Sequence, residues 1–372
     1  MTDAPTVTCP FSTRARAIDA PDPHRAEMRA AGPLVRAEAP AGGPVWIVTD
    51  PDLARAVLTD TRFAKDTALA PPHWDHRVAG LEPTAAEQLS VTTLDGEAHG
   101  RLRRAFAPLF GAARVRAAYP RLRAIAERLL AGLGPGEVDL LEDFTTRYPL
   151  AVLCDLLGIP DEHVDGAMRA CRLMHTDYPD HVGQAMAAFA DLATAALDGG
   201  GPATELADRM PPGSTRRDLH YQVFTLLFAG QLTTDLTIGF LVARLLGDPA
   251  APADDELVRD TLRHHPPAPF TLWRFTSTEL DLAGTRLPAR SPVLVDIKGV
   301  NESGDGADLT FGAGPHYCIG AQLARLELRA VAETFRTHYP AARLTTPFDD
   351  LRHSGPGGIM GSRLHSLPVV LR

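Results

Sequence analysis

The sequence predicts one large, mainly α-helical unit with small β-sheets. Three observations predict it. The chain has 372 residues, 45% of them hydrophobic and 22% charged, the balance of a globular protein with a sizeable core. Helical patterns of apolar residues run from end to end, and no stretch between them reads as a linker, so residues 1–372 are expected to form a single domain. Short alternating runs are confined to Leu272–Val295 and to the tail from Thr345.

The elements follow in order. Residues 1–43 are rich in Pro and Ala and are expected to wrap the surface. Val45 to Val48 reads as a strand, and Asp50-Pro51 caps a helix through about Leu58. The stretch 66–92, with Pro71, Pro72 and Pro83, reads as irregular. Helices are expected at about 97–109, 115–132 and 140–157, the last ending at Gly158 with Pro160 beyond. Two more are expected near 161–175 and 181–198, where Gly199-Gly200-Gly201-Pro202 breaks the pattern. A long helix over 218–247 stops at Gly247-Asp248-Pro249, and one over 254–264 ends before Pro266-Pro267. A Gly-rich loop at 312–320 opens a final helix to about His338.

Several function classes are disfavoured. A net charge of -9 argues against nucleic acid as a partner. Met1 to Thr13 has neither a basic nor an apolar region, so no signal peptide is expected. The most apolar stretch holds His220, Gln222, Gln231, Asp235 and Arg244, too polar for a lipid-facing span, and reads as a buried helix. No membrane partner is expected. Cys9, Cys154, Cys171 and Cys318 make no disulfide framework and no C-x-x-C zinc pair, which fits a reducing cytoplasm.

The most informative segment is Phe311-Gly312-Ala313-Gly314-Pro315-His316-Tyr317-Cys318-Ile319-Gly320. Its glycines let the backbone turn tightly and approach something flat. Cys318 sits where a helix begins, where free N–H groups and the helix dipole favour a thiolate. The order F-x-x-G-x-H-x-C-x-G resembles the haem-binding loop of the cytochrome P450 family. That resemblance, which covers nearly the whole chain, implies a triangular prism of helices around a buried haem b, with Cys318 on the iron. A thiolate there promotes O–O cleavage.

Other segments carry the same resemblance. His99 and Arg103, four apart on one helix face, match a pair that binds a haem propionate. Arg274 and His316 match further propionate contacts, while Phe311, Gly312 and Gly320 match the cradle of the loop. Ala229-Gly230-Gln231-Leu232-Thr233-Thr234 resembles the oxygen-activating helix: Gly230 would allow close approach to the haem, and Thr233 would bond back to the Ala229 carbonyl. Phe270, Thr271, Ile359 and Met360, with parts of 66–92 and 172–190, are expected to line the substrate pocket.

Three departures stand out. Leu232 replaces the acid that relays protons in the family, leaving Thr233, Gln231, Asp235, water or the substrate to do so. Asp260 and Arg263 replace the family's Glu–Arg lock. Only nine residues, Glu302 to Thr310, separate Asn301 from Phe311, and none is arginine.

The resemblance implies a monomer that uses O2 and electrons from a ferredoxin and its NAD(P)H-fed reductase. Arg101, Arg103, Arg104, Arg325 and Arg329 would form a local basic patch for that partner. The expected reaction is hydroxylation or epoxidation of a small natural product. The alternatives are oxidative coupling of a peptide or of a phenolic or indolic substrate, and a non-catalytic haem-binding protein.

Overall fold

The computed structural model describes residues 4–11, 14–75, 90–173, 179–248, 250–304, 308–355 and 359–372. Twelve α-helices lie among them. The N-terminal stretch is more ordered than its composition suggests: it holds α1 (Pro23–Ala31) and the strand Leu34–Glu38. The cause is the same Asp-Pro signature that starts α2 (Pro51–Thr59). Asp22 accepts the His24 N–H at 3.1 Å, as Asp50 accepts that of Leu53 at 2.8 Å.

The helical body comprises α3 (Gly96–Phe106), α4 (Ala112–Ala131), α5 (Arg147–Leu157), α6 (Asp161–Leu173) and α7 (Pro179–Asp198). It continues with the short α8 (Thr204–Ala207), then α9 (Arg216–Gly247), α10 (Asp254–His264), α11 (Ile297–Glu302) and α12 (Ala321–His338). Thr215 and Asp218 form a reciprocal capping box at the start of α9. This 32-residue helix is apolar nearly all round because it runs through the centre, packed on α5, α7, α10 and α12. Its length and hydropathy would suffice to cross a membrane, yet 67% of its most apolar window is buried inside the protein.

The helix expected over 140–157 is split. Leu141–Thr145 winds as a π-helical turn before α5 begins. The wider turn is braced by side chains at the Leu141 carbonyl. A guanidinium N–H of Arg363 donates to it at 2.9 Å, and the Thr145 and Thr146 hydroxyls lie within reach of it at 3.3 and 3.1 Å.

A mixed five-stranded sheet lies beside the helices in the order 34–38, 44–48, 292–295, 274–276, 63–64, with only the 44–48/292–295 pair parallel. One core fills the helical body around Phe144, Tyr148, Phe240 and Phe335. A second, with Trp74, Phe270, Trp273 and Phe275, lies against the sheet.

The expected Asp260–Arg263 lock does not form. Both side chains are half-buried on α10, and among the described residues neither makes an ion pair. Asp is one methylene shorter than Glu, and a neutral bridge holds this helix end instead. Asn301 Nδ2 donates to Thr310 Oγ1 (2.8 Å), which donates to the Leu262 carbonyl (3.2 Å), while Asn301 Oδ1 accepts the Leu309 N–H (2.8 Å). These bonds tie the short 302–310 connection to α10 without an arginine.

Phe240 of α9 stacks on His265 at 4.1 Å and meets the His353 ring edge-on at 5.5 Å. Burial, then the charges of Arg16 and Lys298, push the His353 pKa from 6.5 down to about 4. The unfolded chain therefore takes up this proton first as pH falls. Stability is full above pH 6.5 and declines as pH drops from 6.5 toward 4, by about 3 kcal/mol from this group. Chemical denaturation across that range should show the slope, and His353→Gln should flatten it.

Candidate active site

The loop before α12 is folded by its own backbone. Gly312 N–H donates to the Leu309 carbonyl and Cys318 N–H to the Phe311 carbonyl, both at 2.8 Å, around a 3-10 turn at Gly314–His316. Gly314 has φ +69°, and a Cβ there would lie 2.8 Å from the Leu58 carbonyl oxygen, so only glycine lets the loop sit against α2. Gly320, just before α12, would place a Cβ 3.9 Å from Cys318 Sγ, in ordinary contact. The half-buried Phe311 ring carries the Arg325 guanidinium at 4.6 Å.

Cys318 is accessible at an open recess of about 310 Å³ lined by Arg103, Ala107, Phe110, Tyr317, Gln322 and Arg325. Burial pushes the thiol pKa up, and the Gly320 and Ala321 N–H groups with the charges of Arg103 and Arg325 offset this only in part. The helix start alone does not make the thiolate that the sequence suggested; an iron on the sulfur would.

Next to the loop lies a cluster of basic side chains. His99, only 3% exposed, lies with its ring 4.1 Å from that of His316. His316 Nε2 bonds Asp95 Oδ1 at 3.0 Å. Arg103 donates to the Tyr317 carbonyl oxygen at 2.5 Å, tying α3 to the cysteine loop. Arg274 is 4% exposed and donates to the Phe63 carbonyl at 3.0 Å. His99 Nε2 and Arg274 Nε are buried without a hydrogen-bond partner. Burial, then the charges of His316 and Arg103, push the His99 pKa down to about 4. Buried donors in a cationic cluster call for an anionic acceptor. The carboxylates of a haem beside Cys318 supply that chemistry, so the residues present fit the expected group.

The sequence reading missed two members of this cluster. Asp95 accepts the Lys65 backbone N–H at 2.5 Å as well as His316. Burial works against its ionisation, but these bonds hold its pKa below the usual carboxylate value. The Lys65 side chain is itself buried among the same groups. Neither residue belongs to the loop pattern, and strand pairing of Phe63–Ala64 with Arg274–Thr276 is what brings Lys65 there.

On α9, Ala229, Leu232 and Thr233 share an accessible face. Thr233 Oγ1 donates to the Ala229 carbonyl at 2.7 Å, as expected. The other expectations on this helix are corrected. Gly230 admits Leu153 of α5, whose Cδ1 would lie 3.0 Å from an added Cβ. Gln231, 1% exposed, turns to the Thr146 carbonyl at 3.4 Å. Asp235 is also turned inward, bonded by Thr145 Oγ1 (2.5 Å) and Thr146 Oγ1 (3.2 Å). Both side chains are thus turned away from the accessible face that carries Leu232.

Of the expected pocket residues, Phe270 and Ile359 are packed in the second core. Thr271 Oγ1 accepts the Val295 N–H at 3.1 Å. Phe270 and Met360 instead line a separate polar cavity of about 60 Å³ with Arg25, Lys298, His265 and His353. The segments 66–92 and 172–190 lie partly outside the described residues.

No protein-family model matches the chain. Individual relatives do. It is 38% identical to the cytochrome P-450 monooxygenase DoxA of Streptomyces peucetius subsp. caesius, over 98% of this chain and 97% of that one. It is 31% identical to the cytochrome P450 monooxygenase PikC of Streptomyces venezuelae, over 95% and 91%. Among solved structures, the LnmA cytochrome P450 hydroxylase from the leinamycin biosynthetic pathway of Streptomyces atroolivaceus superposes with a TM-score of 0.80 at 26% identity, over 98% of this chain and all of that one. With a cysteine loop and carboxylate-binding cluster that fit a haem, and relatives matched from end to end, the chain belongs to the bacterial cytochrome P450 family, the haem-thiolate monooxygenases that carry haem b.

Proposed function

We propose that the chain inserts one oxygen atom from O2 into a small natural product of secondary metabolism, by hydroxylation or epoxidation. The observation that carries this is its relationship to a monooxygenase at 38% identity over 98% of its length. The likeness to LnmA, a hydroxylase from the leinamycin biosynthetic pathway, supports the substrate class. The balance is R–H + O2 + 2 electrons + 2 protons, giving R–OH and water. Haem, when bound, would supply oxygen binding and O–O cleavage, and Cys318 would be the residue that holds its iron.

The chain's own residues would bind, hold and relay. His99, Arg103, Arg274 and His316 would orient the haem through its carboxylates. Thr233 Oγ1, its proton held by the Ala229 carbonyl, keeps a lone pair for a water. Protons would then enter through water rather than through a carboxylate on α9, since Asp235 is committed elsewhere.

Electrons would come singly from a ferredoxin and its NAD(P)H-dependent reductase to a cytoplasmic, monomeric enzyme. The expected basic patch is thinner than the sequence implied. Arg101 pairs with Glu97, Arg325 with Asp308, and Arg329 with Asp255 and Glu333. Arg104 is exposed and without an ion-pair partner among the described residues, and Arg103 bonds only a carbonyl. With Arg103 turned to the haem carboxylates, the docking charge would centre on Arg104.

A second reading, oxidative coupling of phenolic or indolic groups, draws support from Leu232 and the inward turn of Asp235. A substrate X–H group would then provide protons that the helix does not. Product mass after turnover under 18O2 decides between them. Insertion adds one heavy oxygen, whereas coupling removes two hydrogens and adds none. In the same assay Thr233→Ala is expected to keep consuming NAD(P)H while product per electron pair falls about tenfold. Unchanged yield would remove Thr233 from proton delivery.

A further inference from the structure

We propose that Lys65 is a haem-anchoring residue, the third fixed cation of the carboxylate cluster, and that it pairs with one of the two haem propionates. This rests on the family assignment and goes beyond the four contacts it implies.

Charge counting carries the argument. The lysine and arginine side chains of the cluster are Lys65, Arg103 and Arg274, and its one carboxylate among the described residues is Asp95. Three minus one leaves +2, which balances the two carboxylates of haem b. Without Lys65 the cluster would hold +1, and one propionate would lack a counter-charge.

Burial adds a second argument. Lys65 is 6% exposed, and its ammonium makes no hydrogen bond or ion pair among the described residues. Its own backbone N–H engages Asp95 Oδ2, while Asp95 Oδ1 is taken by His316. Burial, then the Arg274 charge, push its pKa well down, so this ammonium is unfavourable where it stands. A second cation held beside a buried guanidinium is costly unless an anion joins them. The orphaned Nε of Arg274 places the missing acceptor in the same cluster. A purely structural role would need only an apolar side chain here.

Lys65→Met and Lys65→Arg, made in the full-length holoenzyme, test this through two readouts besides turnover. One is the rate of haem transfer to excess apomyoglobin, and the other is the iron(III)/iron(II) potential. Lys65→Met is expected to lose haem about tenfold faster or more and to have a lower potential, because a positive charge near the haem has gone. Lys65→Arg should stay within about twofold of the parent on transfer, since it keeps the cation. Unchanged transfer and potential in Lys65→Met would overturn the proposal. So would a Lys65→Arg protein as defective as Lys65→Met, which would mark a packing role. If the parent itself shows no thiolate-ligated haem spectrum, the family reading fails rather than this one.

Discussion

Replacing Cys318 by serine is expected to lower product formation by more than about a thousandfold, some 4 kcal/mol of barrier. The reduced carbon monoxide complex should also lose the long-wavelength Soret band of a thiolate ligand. The fold should survive. The bond from residue 318 to the Phe311 carbonyl is made by the backbone N–H, and serine keeps it. The clamp between Arg103 and the Tyr317 carbonyl is likewise independent of the sulfur. The variant should therefore still bind haem through the carboxylate cluster, but with oxygen or nitrogen ligation. What disappears is electron donation from sulfur, the step that promotes O–O cleavage. Retention of the thiolate-type band in Cys318→Ser would mean that another cysteine holds the iron. Cys154 is fully buried within α5 and Cys9 lies near the N-terminus, both apart from this loop.

The cysteine loop was legible because its chemistry needs several residue types at fixed spacing over ten positions, and helix caps were legible because Asp-Pro and Gly-Pro pairs act locally. Asp22-Pro23 carried the same cap signal as Asp50-Pro51, and the Pro/Ala-rich composition around it masked α1. Other features depend on contacts far apart in sequence. Lys65 reaches the site through strand pairing some 210 residues away, between Ala64 and Phe275. The Asn301–Thr310–Leu262 bridge replaces an ion pair that residue spacing alone suggested. Gly230 shows the same limit. A glycine within a helix signals close approach, and its neighbour turned out to be Leu153 rather than an open face. The π-helical turn at Leu141–Thr145 was also invisible, since its support comes from Arg363 near the other end of the chain.

That turn sets the largest stability effect expected in the chain. Asp235→Ala should destabilise the protein by about 3–5 kcal/mol. The Asp235 side chain is fully buried, and Thr145 and Thr146 both donate to it. Arg363 Nε lies 3.7 Å from Asp235 Oδ2, while another nitrogen of the same guanidinium supports the Leu141 carbonyl and Thr146 Oγ1. Removing the carboxylate therefore strands a largely buried guanidinium and leaves the two threonine hydroxyls only the Leu141 carbonyl as acceptor. Asp235→Asn keeps an acceptor and should cost less than Asp235→Ala. Pairing Asp235→Leu with Arg363→Met removes both charges together and should recover much of the loss, because replacing a buried pair by apolar groups is far cheaper than breaking it. Denaturant titrations of the four proteins measure this directly. The same series bears on mechanism. If Asp235 only braces α9 against the π-helical turn, Asp235→Asn will keep the parent's product yield per NAD(P)H. A collapse of that yield in a stably folded Asp235→Asn protein would instead return Asp235 to the proton path, against the inward orientation of its carboxylate.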